Sequence, residues 1–187
     1  MHGKRIAVVG FASFGAHAEN PSERVVRALA REPGLATAVL PVAYRRAESQ
    51  LVATLESVRP DALLLLGRHE GESIRLERVA LNLDDAASAD EDGERRSGAP
   101  ILPAGPVGHW STLPLEAFAA ALASRALPFA WSRDAGGFLC NHVFYVASHW
   151  VEQSGRHIPC GFVHLPPLEA LALERQLEGV RACLDVL

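Results

Sequence analysis

Residues 62–66 read Ala-Leu-Leu-Leu-Leu, an apolar run between Asp61 and Gly67. A run this short and this apolar fits a strand buried on both sides. Residues 5–10 behave the same way, with Ile-Ala-Val-Val between Arg5 and Gly10. Strands of that kind belong to sheets covered by helices on both faces. Helical patterns do alternate with them. Asn20, Pro21 and Glu23 supply an N-cap, an N1 proline and an N3 acid for a helix running to about Arg31. Further helices are expected at 44–58, 114–126, 139–153 and 169–187. Strands are expected at 37–43, 61–67, 78–83 (weaker), 129–132 and 160–165. This alternation predicts an α/β fold: a single-domain three-layer α/β/α sandwich with a mixed, mostly parallel central sheet over residues 1–187. The polar stretch 84–100 is expected to be a long surface loop or hairpin inside that domain.

Composition narrows the function. The chain has 187 residues and 49% hydrophobic content, enough for a full core without disulfides or metals. A net charge of −4 with no basic run argues against nucleic acid as a partner. No apolar stretch is long enough to span a bilayer. The basic-apolar start of the chain is too short for a signal peptide and reads as the first buried strand. Three cysteines with no CxxC pair argue against a disulfide framework or a structural zinc site and fit a reducing cytoplasm.

In sheets of this class, sites gather beyond the carboxyl ends of strands. Residues 11–20, 67–77, 133–140 and 164–167 each follow a strand and are expected to converge on one rim. Cys140 lies there, behind Gly136-Gly137 and at the head of a helical pattern. Residue type alone favours a buried structural thiol. The glycine pair, the helix start and the polar Asn141-His142 favour a reactive one, because a helix N-terminus stabilises thiolate. Cys160 and Cys183 lack such a setting and read as core. His164 ends a strand, where it reads equally as a rim base or as a histidine satisfied within its loop. His142 is two residues from Cys140, a helical spacing at which side chains diverge. His2, His17, His69, His109, His149 and His157 read as surface or packing residues. Taken alone, Glu77 reads as a surface carboxylate paired with Arg75 or Arg78. Two weak signals are set aside: Gly10–Gly15 lacks the pattern of a nucleotide loop, and Asp90-Glu-Asp-Gly93 lacks the closing Glu of a calcium loop and reads as solvated.

The ordered set Gly10-Phe-x-x-Phe-Gly15, Asn20-Pro21-Ser22, Leu76-Glu77-Arg-Val-Ala-Leu-Asn82, Asp90-x-x-Gly93, Gly105-Pro106, Ser111-Thr-Leu-Pro114, Ala135-Gly136-x-Phe138-x-Cys140-Asn141-His142-x-x-Tyr145 and Gly161-Phe-x-His164-x-Pro166 resembles type I pyroglutamyl peptidases. The resemblance implies a cysteine peptidase that removes an N-terminal pyroglutamyl residue from blocked peptides. It implies Cys140 as nucleophile, His164 as general base then acid, and Glu77 orienting the histidine. It also implies a lactam pocket walled by Phe11, Phe14 and Phe138, with Leu139 and Arg68 at the substrate site and Asn20 tying the first loop. It further implies a homo-oligomer, dimer or tetramer, with no metal or cofactor. Three departures stand out. Arg68 occupies a position where many members have Gln, Ala87 falls where many have Arg, and the segment after His164 is short. They leave two other readings open: a related cysteine hydrolase with shifted acyl specificity, and a catalytically weak binding relative.

Overall fold

The computed structural model describes residues 4–15 and 19–187; His2 and His17 lie outside the described residues. Among the described residues, eight strands and five helices follow in the order β1 Ile6–Phe11, α1 Pro21–Leu29, β2 Leu35–Leu40, α2 Tyr44–Val58, β3 Ala62–Arg68, β4 Ile74–Glu77, β5 Val79–Leu81, β6 Gly108–Trp110, α3 Leu115–Ala123, β7 Phe129–Ser132, α4 Leu139–Gln153, β8 Cys160–Leu165 and α5 Leu173–Leu184. Six strands form the main sheet in the order β2-β1-β3-β8-β4-β7, and β5 pairs with β6 in a small second sheet. β1, β2, β3 and β8 are parallel, whereas β4 runs against β8 and takes β7 with it.

Period-2 alternation sorts the central strands between two cores. Val9, Leu63, Leu65 and Phe162 face Leu51 and Leu55 of α2 and Val143 and Phe144 of α4. Val8, Leu64, Leu66 and Val163 face Val25 of α1, Phe118 of α3 and Val180 of α5. The result is the expected three-layer sandwich, with β1 and β8 buried throughout.

Several boundaries differ from expectation. β2 ends at Leu40, because Pro41 cannot donate to a ladder. α3 stops at Ala123, and Ala126, at φ 50°, has left the helix. α5 begins only at Leu173, since Pro167 O first collects the N–H groups of Ala170 and Leu171 in a turn. The largest difference lies at residues 67–83. The expected strand at 78–83 is β5, shorter and outside the main sheet, and the expected rim segment 67–77 contains β4. Ile74 and Leu76 point to one core while Arg75 and Glu77 share the face of His164. Because β7 is antiparallel to β8, the segment after it leaves from the opposite end of the sheet and returns to bring Cys140 to the rim of β3 and β8.

Candidate active site

The first turn of α4 carries Leu139, Cys140, Asn141 and His142. Gly136 turns the chain into it at φ 86°, a left-handed conformation that favours glycine. Phe138 is the N-cap and offers no side-chain hydrogen bond, so the first backbone N–H groups of α4 stay available around Cys140. Asn141 locks the turn in place: its Oδ1 accepts from Leu81 N at 2.8 Å, and its Nδ2 donates to Leu81 O and Leu83 O at 2.9 Å. Cys140 is half-buried and lies over Gly67 at the end of β3. A Cβ on Gly67 would come within 2.8 Å of the Cys140 sulfur and 2.6 Å of the Phe162 ring, so only glycine admits the thiol there.

Gly67 is in register with His164 on β8. His164 is buried, its ring packed on Phe162 at 4.7 Å. Its Nδ1 donates to Glu77 Oε1 at 2.8 Å. β4 pairs Arg75 with His164, which places Glu77 on the same face one diagonal away. Glu77 is fully buried, so the surface reading of this carboxylate is wrong: it lines the sheet instead of meeting water. Burial draws His164 toward its neutral form. The charge and hydrogen bonding of Cys140, followed by those of Glu77, outweigh it, and its pKa is pushed up to about 9.

Beside Cys140 opens a cavity of about 220 Å³ lined by Phe11, Phe14, Asn20, Val42, Arg68, Ser88, Phe138, Leu139 and Cys140. All six substrate residues read from the sequence meet here. Asn20 ties down the loop that brings Phe11 and Phe14. It donates to Ala12 O at 3.1 Å and accepts from Ser22 N at 3.0 Å. Ser22 Oγ in turn accepts from Phe11 N at 3.0 Å. Glu23 accepts from Ser13 N at 2.8 Å, a use the N3 position alone did not suggest. Arg68 enters the cavity already paired with Glu70, at 2.6 Å, which tempers its charge.

Together these features gather a thiol, an imidazole and a carboxylate about the ends of β3 and β8, beside a mostly apolar cavity. A model of the pyroglutamyl peptidase family matches residues 4–185. The chain belongs to that family. Among its relatives, the pyrrolidone-carboxylate peptidase of Brevibacillus brevis is 32% identical over 97% of this chain and 92% of its own length. The Bacillus cereus pyrrolidone-carboxylate peptidase is 33% identical over 87% of this chain and 78% of its own. A mutant pyrrolidone carboxyl peptidase from the hyperthermophile Pyrococcus furiosus superposes with a TM-score of 0.92 at 31% identity, covering 97% of both chains. The Bacillus amyloliquefaciens pyroglutamyl peptidase I gives 0.93 at 27% identity, over 98% of this chain and 96% of its own.

The sequence reading missed the support behind this family site. Phe138 meets Tyr44 edge-on at 5.6 Å, and Tyr44 meets His142 at 5.1 Å. His142 Nδ1 donates to the fully buried Asp84 at 2.9 Å, and Asp84 also accepts from Arg96 at 2.9 Å. The Arg96 guanidinium lies 4.2 Å over the Tyr44 ring. The stretch 84–100 is therefore bound to the cavity wall. Asp90, expected to be solvated, is buried and accepts from Tyr44 N at 2.8 Å, which caps α2 from across the fold. His69 also joins the surroundings, its ring 5.9 Å from that of His164. Its tautomer follows from its partners: Nε2 donates to Ser73 O at 2.7 Å and Nδ1 accepts from Gly71 N at 3.0 Å. Cys160 and Cys183 are core thiols as expected, and burial pushes both up to about 12.

Burial pulls the pKa of His142 down, but the hydrogen bond to Asp84 and the Glu48 carboxylate 3.4 Å from its Nε2 outweigh that, for a net rise. A raised folded value stabilises the fold fully below the ordinary histidine pKa of about 6.5, and that gain is lost as pH climbs through the folded value. The melting temperature is therefore expected to fall as pH rises from about 6.5 through the raised folded value. His142→Asn should melt lower throughout and show a flatter decline; an unchanged slope would refute the assignment.

Proposed function

We propose that this protein is a cysteine exopeptidase that hydrolyses the bond after an N-terminal pyroglutamyl residue, with residues 1–187 acting as one domain. The observation that carries the reading is the buried His164–Glu77 hydrogen bond beside Cys140, at the mouth of a cavity walled by Phe11, Phe14 and Phe138. Cys140 attacks the acyl carbon and forms a thioester. His164 takes the thiol proton as Cys140 attacks, and then delivers it to the leaving amine. Water then attacks the thioester with His164 as base, releasing pyroglutamate. Glu77 fixes the tautomer and supports the imidazolium. Backbone N–H groups at the start of α4 hold the oxyanion, where each good donor contributes about 3–4 kcal/mol in the transition state. The cavity admits a neutral lactam, whereas a charged free amine would lose its solvation there.

Arg68 favours a second reading, in which its charge selects an acidic acyl group. Its pairing with Glu70 supports instead a hydrogen-bond donor to the lactam. A panel of N-acyl aminocoumarin amides separates the two: pyroglutamyl is expected to lead, and a better N-acetylglutamyl substrate would overturn the proposal. Arg68→Ala should raise KM by about tenfold with little change in kcat, while Arg68→Gln, which keeps a donor, should stay within about threefold of wild type.

The requirement for no metal or cofactor in catalysis is part of the same proposal. Exposed Val107 and Trp110 beside and within β6 support self-association as a dimer or tetramer; light scattering that returns a monomer mass would overturn it. Three free cysteines support a cytoplasmic setting, which cell fractionation checks.

A further inference from the structure

A second cluster of coordinating side chains lies at the other end of α4. His149 and Glu152 stand one turn apart on the helix, and His109 faces them from β6. One ligand atom from each lies within 4.8 Å of the other two. The His109 and His149 rings sit 5.5 Å apart, and His109 Nδ1 is 3.5 Å from Glu152 Oε2. The His109 side chain is only 9% exposed. Its Nε2, and His149 Nδ1, are buried with no hydrogen-bond partner among the described residues. Buried ring nitrogens left in that state are unfavourable unless something satisfies them. Beside the cluster opens a cleft of about 560 Å³, lined by His109, Ser148, Glu152 and His157 among others, which gives a route of entry.

We propose that His109, His149 and Glu152 form a binding site for a zinc ion, separate from the catalytic centre. Two imidazoles and a carboxylate suit zinc, with water as the fourth ligand. Tetrahedral zinc holds its ligands at about 2.0–2.1 Å and hence about 3.3 Å from one another, so the cluster must contract. Glu152, with a side chain 61% exposed, has room to swing inward. His149 is nine residues beyond Cys140, about 14 Å along the helix, too far for an ion there to touch the thiol. Bound zinc clips β6 to the α4 helix, whose first turn carries the nucleophile.

The test uses the full chain bearing Cys140→Ala, so that the reactive thiol does not compete for metal. Calorimetric titration with zinc chloride should show one saturable site of about micromolar affinity or tighter. In the same background, Glu152→Gln and His149→Gln should each weaken it at least tenfold. Cobalt(II) should give the visible absorption of a tetrahedral site, lost in both variants. Circular dichroism melts without metal establish that the variants are folded, and exposed Glu152 is a position where substitution leaves the fold intact. Absence of saturable binding, or binding that survives either substitution undiminished, would overturn the proposal.

Discussion

Cys140→Ala is expected to lower kcat on pyroglutamyl-aminocoumarin by about 10⁵-fold or more while leaving the melting curve close to wild type. Losing a nucleophile in a hydrolase that works through an acyl-enzyme removes the whole covalent route. Comparable deletions cost on the order of 10⁶ in kcat. What remains is the binding cavity and the oxyanion donors, which retain about 10³–10⁴ over water in related chemistry. The fold should tolerate the change, since Cys140 is half-buried and its turn is held by Asn141, not by the sulfur. Steady-state rates beside a thermal melt check both halves. A variant within tenfold of wild type would require another nucleophile, and Cys160 and Cys183 are too buried to serve.

Glu77→Gln should cost nearly as much, by a different route. The carboxylate accepts the His164 Nδ1 proton at 2.8 Å and so leaves Nε2 for the thiol. An amide can present its NH₂ group instead and select the opposite tautomer, a change that lowers kcat by about 10⁴-fold where it has been isolated in a triad. It also removes a negative charge that helps hold His164 protonated, so the limb of the pH–rate profile that His164 sets should move to lower pH. A merely structural carboxylate would lower stability without moving that limb. Rates between about pH 5 and pH 10, with a melt at each end, distinguish the two outcomes.

Much of this was legible in the chain. The runs at Ile6–Phe11 and Ala62–Arg68 named the central strands because burial on both faces leaves no polar alternation to confuse with a helix. Cys140 was marked by its glycines and helix start. Glu77 was not, because Ile74–Glu77 is a four-residue strand whose outward positions carry Arg75 and Glu77. Its period-2 signal was present, yet charge in so short a segment looks like a loop. Only the antiparallel pairing with β8 turns that face toward His164. The network of Asp84, Arg96 and His142 was illegible for another reason: its members lie 12 and 58 residues apart, and nothing local joins them. The family resemblance supplied roles for Cys140, His164 and Glu77 that local reasoning left open. It did not supply Glu70, whose pairing with Arg68 changes how that departure from the family pattern is read.

Of the three thiols, Cys140 alone is expected to react and to face a lactam cavity. Timed iodoacetamide labelling with peptide mapping tests it most directly, with and without 2-pyrrolidone as a lactam competitor. Cys140 should label first, in step with loss of activity, and 2-pyrrolidone should slow it, while Cys160 and Cys183 stay unmodified in the folded protein. Equal labelling of all three cysteines, or labelling of Cys140 that leaves activity intact, would contradict the account.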